Sequence, residues 1–92
     1  MNEKTITQYE NAFAKCKDVF LKKTKDYGTS WRILRARSIT DQIYIKAKRI
    51  RTIDETGENK VGDSIESEFI GCVNYGIIAI IQLNLQDKKD VA

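Results

Sequence analysis

Phe69-Ile70-Gly71-Cys72-Val73-Asn74-Tyr75-Gly76-Ile77-Ile78-Ala79-Ile80-Ile81-Gln82-Leu83 is the stretch that decides how this chain folds. Only Asn74, Tyr75 and Gln82 carry polar side chains in it, so a helix here is apolar all round its cylinder. Such a helix has to be buried rather than lie on a surface. A membrane span needs roughly 20 apolar residues. This run is shorter, is interrupted by Asn74, and follows Asp63, Glu66 and Glu68. The sequence therefore predicts the central helix of a soluble bundle, with no membrane involved. Gly71, Cys72, Gly76 and Ala79 are small and let neighbouring helices approach closely. Two other helices from so short a chain cannot cover every side of this one, so a second copy, in trans or as a tandem repeat, is expected to pack against it.

Working outward, Ile6, Tyr9, Phe13, Cys16 and Phe20 advance in alternating steps of three and four, which predicts a first helix over about 3–27. Gly28 supplies the left-handed position a helix end favours, and Lys22, Lys23 and Lys25 suit the negative end of the dipole. Thr29 to Arg37 read as a connector or a short helical turn. Ser38 and Asp41 resemble a capping box that opens a second helix over about 38–54, with Ile39, Ile43, Ala47 and Ile50 along one stripe. Glu55 to Gly62 is polar, holds two glycines, and reads as a loop. Asp63 with Glu66 is a second capping signal for a third helix over about 64–86, and Asp87 to Ala92 reads as a frayed polar tail. The expected fold is all-α, one domain over 1–92. It is a three-helix unit that a second copy completes into a bundle.

A chain of 92 residues buries only a modest fraction of its unfolded surface. Sixteen Lys and Arg against 13 Asp and Glu leave a net charge of +3, too mild to mark a nucleic-acid binder. There is no histidine, which excludes His-based triads and His-ligated zinc. Any catalysis must use carboxylates, lysines or a metal. Cys16 and Cys72 sit far apart inside apolar patterns and read as buried reduced thiols. Met1 to Thr7 shows no signal-peptide pattern, so the expected address is cytoplasmic.

Residues 32–51 hold Arg32, Arg35, Arg37, Lys46, Lys48, Arg49 and Arg51 against the single acid Asp41. On a helical wheel Lys46 and Arg49 border the apolar stripe, whereas Lys48 and Arg51 lie well outside it on a solvated face. Cations at a core edge need partners. One reading pairs them with Glu66 or Glu68; the other makes them a phosphate clamp. Arg35 and Arg37, near the start of the second helix, are placed to meet a phosphate with help from backbone amides. Asp26, Asp41, Glu66 and Glu68 sit beside motifs and are the acids that magnesium, an oxygen-seeking cation, would share. Helix capping explains Asp41 and Glu66 equally well. Asn74 and Tyr75 need hydrogen-bond partners, from across the bundle or from a ligand. Trp31 and Tyr27 offer a flat surface for a base, or anchor their loop to the bundle.

In order along the chain, Lys25-Asp26-Tyr27-Gly28, Trp31-Arg32, Arg35, Ser38-Ile39-Thr40-Asp41-Gln42, Ile45-Lys46, Arg49-Ile50-Arg51 and Asn74-Tyr75 resemble the nucleotide modification associated domain 1 family, formerly a domain of unknown function. The likeness runs from about Phe20 to Leu83. It implies a fold related to the MazG-like all-α nucleotide pyrophosphohydrolases, which hold magnesium on acids of facing helices and cut nucleoside triphosphates between the α and β phosphates. Carried onto this chain, it gives Asp41, Glu66 and Glu68 as metal ligands. Asp26, Tyr27, Trp31, Arg35, Lys46, Arg49 and Asn74 become substrate contacts. Two departures stand out. Gly71 occupies the position three residues before the Asn-Tyr pair where relatives place an acid, and the paired glutamates of the second helix are missing. The functions in view are thus a nucleotide-binding domain with magnesium-dependent hydrolysis, a non-catalytic helical module that dimerises through its third helix, and nucleic-acid binding through the basic face. The last is disfavoured by the low net charge.

Overall fold

The structure, a computed structural model, describes residues 2–57 and 64–91. It contains α1 (Glu3–Tyr27), a short 3-10 turn (Ser30–Ile33), α2 (Ala36–Thr56) and α3 (Ile65–Val91), with no strand among the described residues. The all-α, three-helix expectation holds. At the start of α1, Asn2 Oδ1 accepts the Thr5 N–H at 2.9 Å, meeting one of the orphan donors of a helix N-terminus. At its end Gly28 adopts φ 68° and ψ −152°, a region open essentially to glycine alone, and its N–H closes on the Thr24 carbonyl at 2.8 Å.

The helix boundaries correct three expectations. Ser38 and Asp41 do not cap α2. The helix begins two residues earlier, after Arg35, whose backbone is extended (φ −80°, ψ 156°) and whose carbonyl already accepts the Ile39 N–H at 3.2 Å. Ser38 therefore lies inside the first turn, and no side chain caps this end. At the other end α2 continues through Glu55 to Thr56, and Gly57 stops it in the left-handed region at φ 72°. The third correction is that α3 does not fray after Gln86 but runs to Val91, with no glycine or proline beyond Gly76 to end it. Asp63, expected as a cap, lies outside the described residues. Ser64 performs that role: its Oγ accepts the Ser67 N–H at 3.0 Å.

α3 is the centre of the unit. α2 runs back antiparallel along it, so that Lys46 and Arg49 meet Glu68 at one end while Gln82 reaches the Trp31–Leu34 carbonyls at the other. α1 crosses it where Asn74 Nδ2 donates to the Cys16 carbonyl at 3.0 Å. The apolar core is small, made of Cys16, Ile39, Ile50 and Ile78, with Ile39 fully buried. Ile6, Tyr9 and Phe13, expected on the core face of α1, are exposed, because α3 covers only the second half of that helix. Both cysteines are free thiols; Cys16 is buried and Cys72 half-buried. The radius of gyration is 15.4 Å, against about 12 Å for a compact domain of this length. Ile65–Leu85 has the length and composition of a helix able to cross a membrane, with mean hydropathy 1.4, and only 17% of its hydrophobic window is buried within the chain.

Ile39 should dominate the stability of this sparse core. Ile39→Ala is expected to cost about 2–5 kcal/mol by guanidinium denaturation; a cost near zero would contradict its placement.

Candidate functional site

Glu68 is the polar centre of the molecule. Only 1% of it is exposed, yet neither carboxylate oxygen has a hydrogen-bond partner. It is held by charge alone: Lys46 Nζ lies 3.7 Å from Oε2 and Arg49 Nη1 3.6 Å from Oε1. These distances exceed hydrogen-bonding range, so the attraction is Coulombic and the carboxylate keeps unused acceptor capacity. Two cations around one anion leave a local excess of one positive charge.

Gly71 explains how Lys46 reaches this place. A Cβ built on Gly71 would stand 2.7 Å from Lys46 Cε, 2.8 Å from Cδ and 3.1 Å from Nζ. The lysine stem thus lies directly across the bare backbone of α3. From there its ammonium sits 5.9 Å from the centre of the Tyr75 ring, within cation–π range.

Beside this centre a cleft of about 610 Å³ opens between the end of α1, the 3-10 turn and the middle of α3. That volume is typical of small-molecule sites. Its apolar wall comes from Val19, Phe20, Leu34 and Ile78. Among the described residues its charged lining consists of Lys23 and Lys46, with no carboxylate. Asn74 also lines it; Nδ2 is committed to Cys16 while the buried Oδ1 has no partner. Tyr27 stands largely exposed at the mouth. Trp31 is wedged more firmly, with the Phe20 ring 6.1 Å away and Arg32 Cζ 4.7 Å from its centre.

Of the residues the sequence pointed to, Tyr27, Trp31, Lys46 and Asn74 converge on the cleft, and Arg49 stands behind it on Glu68. Asp26 is exposed beside the mouth without lining it, and Arg35 is exposed at the start of α2. The three acids do not gather. Asp41 is exposed on α2, Glu66 makes a surface pair with Lys15 at 3.4 Å, and Glu68 points inward between its two cations. Glu66 and Glu68, two positions apart, necessarily face different sides of α3. Among the described residues no group of three or more acids or cysteines is placed to share a metal ion. Glu68, the buried carboxylate among the described residues, has Lys46 and Arg49 as its charged neighbours. Sequence reasoning missed Gln82 and Lys23. Gln82 Nε2 donates to the carbonyls of Arg32 (2.6 Å) and Leu34 (3.0 Å), pinning the turn that carries Trp31. Its polarity within an apolar helix was the available signal. Lys23 carried no signal beyond its place near a helix end.

The charge arrangement implies an asymmetry. Lys46→Met strands a buried carboxylate beside one half-exposed arginine and is expected to cost about 3–5 kcal/mol, as for breaking a buried pair. Glu68→Gln leaves cations that can turn toward water and is expected to cost less, about 1–2 kcal/mol. Urea denaturation of both variants checks this; equal losses would refute it.

Comparison with known proteins fits the same region. A sequence model of the family described as nucleotide modification associated domain 1 matches residues 23–83, a span holding every cleft-lining residue except Val19 and Phe20. No curated protein and no solved structure matches the chain. With most of its length inside that match, the chain belongs to the nucleotide modification associated domain 1 family.

Proposed function

We propose that this domain binds a nucleotide in the cleft, with the phosphates toward Lys46 and Lys23 and the nucleoside against the aromatic side. The observation that carries this is the charge of the lining: among the described residues, two lysines and no carboxylate around a volume of about 610 Å³. An anion gains there what a cation would lose. Lys46 has unused hydrogen-bond donors, and its ammonium is held in place by Glu68 and Tyr75, so little ordering is required when a phosphate arrives. Asn74 Oδ1, buried and unpartnered, suits a base amino group or a sugar hydroxyl. Tyr27 is the aromatic ring placed to stack on a base; Trp31 already packs on Phe20 and Arg32. The related MazG-like hydrolysis would need acids from outside this cleft, and no step of it is assigned to these residues. Gly71 and Lys46 favour binding without hydrolysis, since a lysine stem occupies the space an acid at position 71 would need.

Thermal melting across ribo- and deoxynucleoside mono-, di- and triphosphates, with magnesium and with chelator, tests the proposal. A ligand that binds only the folded chain raises the midpoint. Stabilisation that persists in chelator is expected, accompanied by a change in fluorescence of Trp31, the single tryptophan. The charge-balanced double variant Lys46→Met with Glu68→Gln should stay folded and lose at least ten-fold in affinity, the loss of about 1.4 kcal/mol or more expected for one charged contact. No shift with any nucleotide would overturn the binding site. Pyrophosphate release from a triphosphate in magnesium would instead establish the hydrolase reading.

A further inference from the structure

We infer that two copies of this chain associate through the outer face of α3, antiparallel and across a two-fold axis near Gly76. Phe69, Val73, Gly76, Ile80 and Leu83 fall in steps of four, three, four and three, which holds them on one narrow stripe. The four large side chains of that stripe are exposed, and nothing lies within 4 Å of a Cβ built on Gly76. The opposite side of the same helix carries Glu68, Gly71, Asn74 and Ile78, which face α1 and α2. The stripe is therefore the side of α3 that the chain itself leaves open.

Open surface and the symmetry of the stripe together point to a second copy as the occupant. The chain exposes 7544 Å², whereas a folded monomer of 10.6 kDa is expected to expose roughly 5,500 Å². The excess of about 2,000 Å² is spread over the chain, exposed Ile6, Tyr9, Phe13 and Leu21 of α1 included, and the α3 stripe is the part of that open surface whose pattern matches itself. The stripe is also self-complementary. Gly76 lies midway between Phe69 and Leu83, so an antiparallel crossing sets each phenylalanine against the other copy's leucine and pairs Val73 with Ile80. A two-fold interface requires that kind of symmetry, and the glycine lets the helices approach at the crossing. A lipid bilayer is the poorer occupant. α2 lies along α3 and carries exposed Arg37, Lys48 and Arg51, which insertion of α3 would draw into hydrocarbon.

Sedimentation equilibrium of the full chain in detergent-free buffer is expected to give twice 10.6 kDa. Val73→Glu with Ile80→Glu alters two side chains exposed in the single copy and should yield a monomer or an unfolded chain. Because unfolding would not locate the interface, Gly76→Cys provides an independent readout. Under mild oxidation it should form a covalent dimer on a non-reducing gel, with the wild-type chain controlling for Cys16 and Cys72. A wild-type monomer at all concentrations, solubility only in detergent, or a wild-type dimer in which Gly76→Cys does not cross-link would each overturn the inference.

Discussion

A carboxylate withdrawn from water must be met by charge or by hydrogen bonds, and Glu68 is met by charge alone. That constraint fixes the register of α2 on α3. Lys46 and Arg49 are three positions apart, on one face of α2, and both reach the same carboxylate on the first turn of α3. A shift of α2 by one residue would turn that face away and leave the charge alone in the core. Gln82, fourteen positions further along α3, ties down the other end of the same pairing through the carbonyls of the 3-10 turn. The cleft exists because these two attachments hold the turn and α2 at a fixed separation, with α1 closing the third side.

Gly71 then decides what kind of cleft it is. With any side chain at that position the far end of Lys46, which lies between Glu68 and the ring of Tyr75, would have to shift. A glycine read as a missing acid is thus also the space that admits a tethered cation. Glu68 lies between Lys46 and Arg49, while Asp41 and Glu66 lie apart from it at the surface.

Much of this was legible in the sequence. Helical period placed Lys46 and Arg49 at the edge of the core and offered Glu66 or Glu68 as their partner, of which Glu68 is the one they meet, because a wheel reports direction, and direction decides which charges need partners. Glycine at 28 marked a real helix end for the same local reason. What could not be read depends on contacts through space. The partner of Asn74 is the Cys16 backbone carbonyl, and a carbonyl leaves no trace in residue identity. The capping box at Ser38 misled because the first turn of α2 begins instead at Arg35, where extended backbone rather than a capping side chain sets the helix start. The stripe of Ile6, Tyr9 and Phe13 was correct as a period but not as burial. Period shows which face is apolar, and only the assembled chain shows whether anything covers it.

That last distinction bears on how so small a chain supports a site at all. Four buried apolar residues among those described are a thin core for three helices of this length, and a buried ion pair adds little net stability of its own. Open apolar area lies on Ile6, Tyr9 and Phe13 of α1 and on the outer stripe of α3, which is turned away from Glu68 and the cleft. If a second copy covers that stripe, the interface stiffens α3 from behind while the cleft stays open in front. The helix that carries Gly71, Asn74 and Tyr75 would be held by one surface and would present the ligand to the other. A dimer built this way carries two separate clefts facing outward, each complete within its own chain.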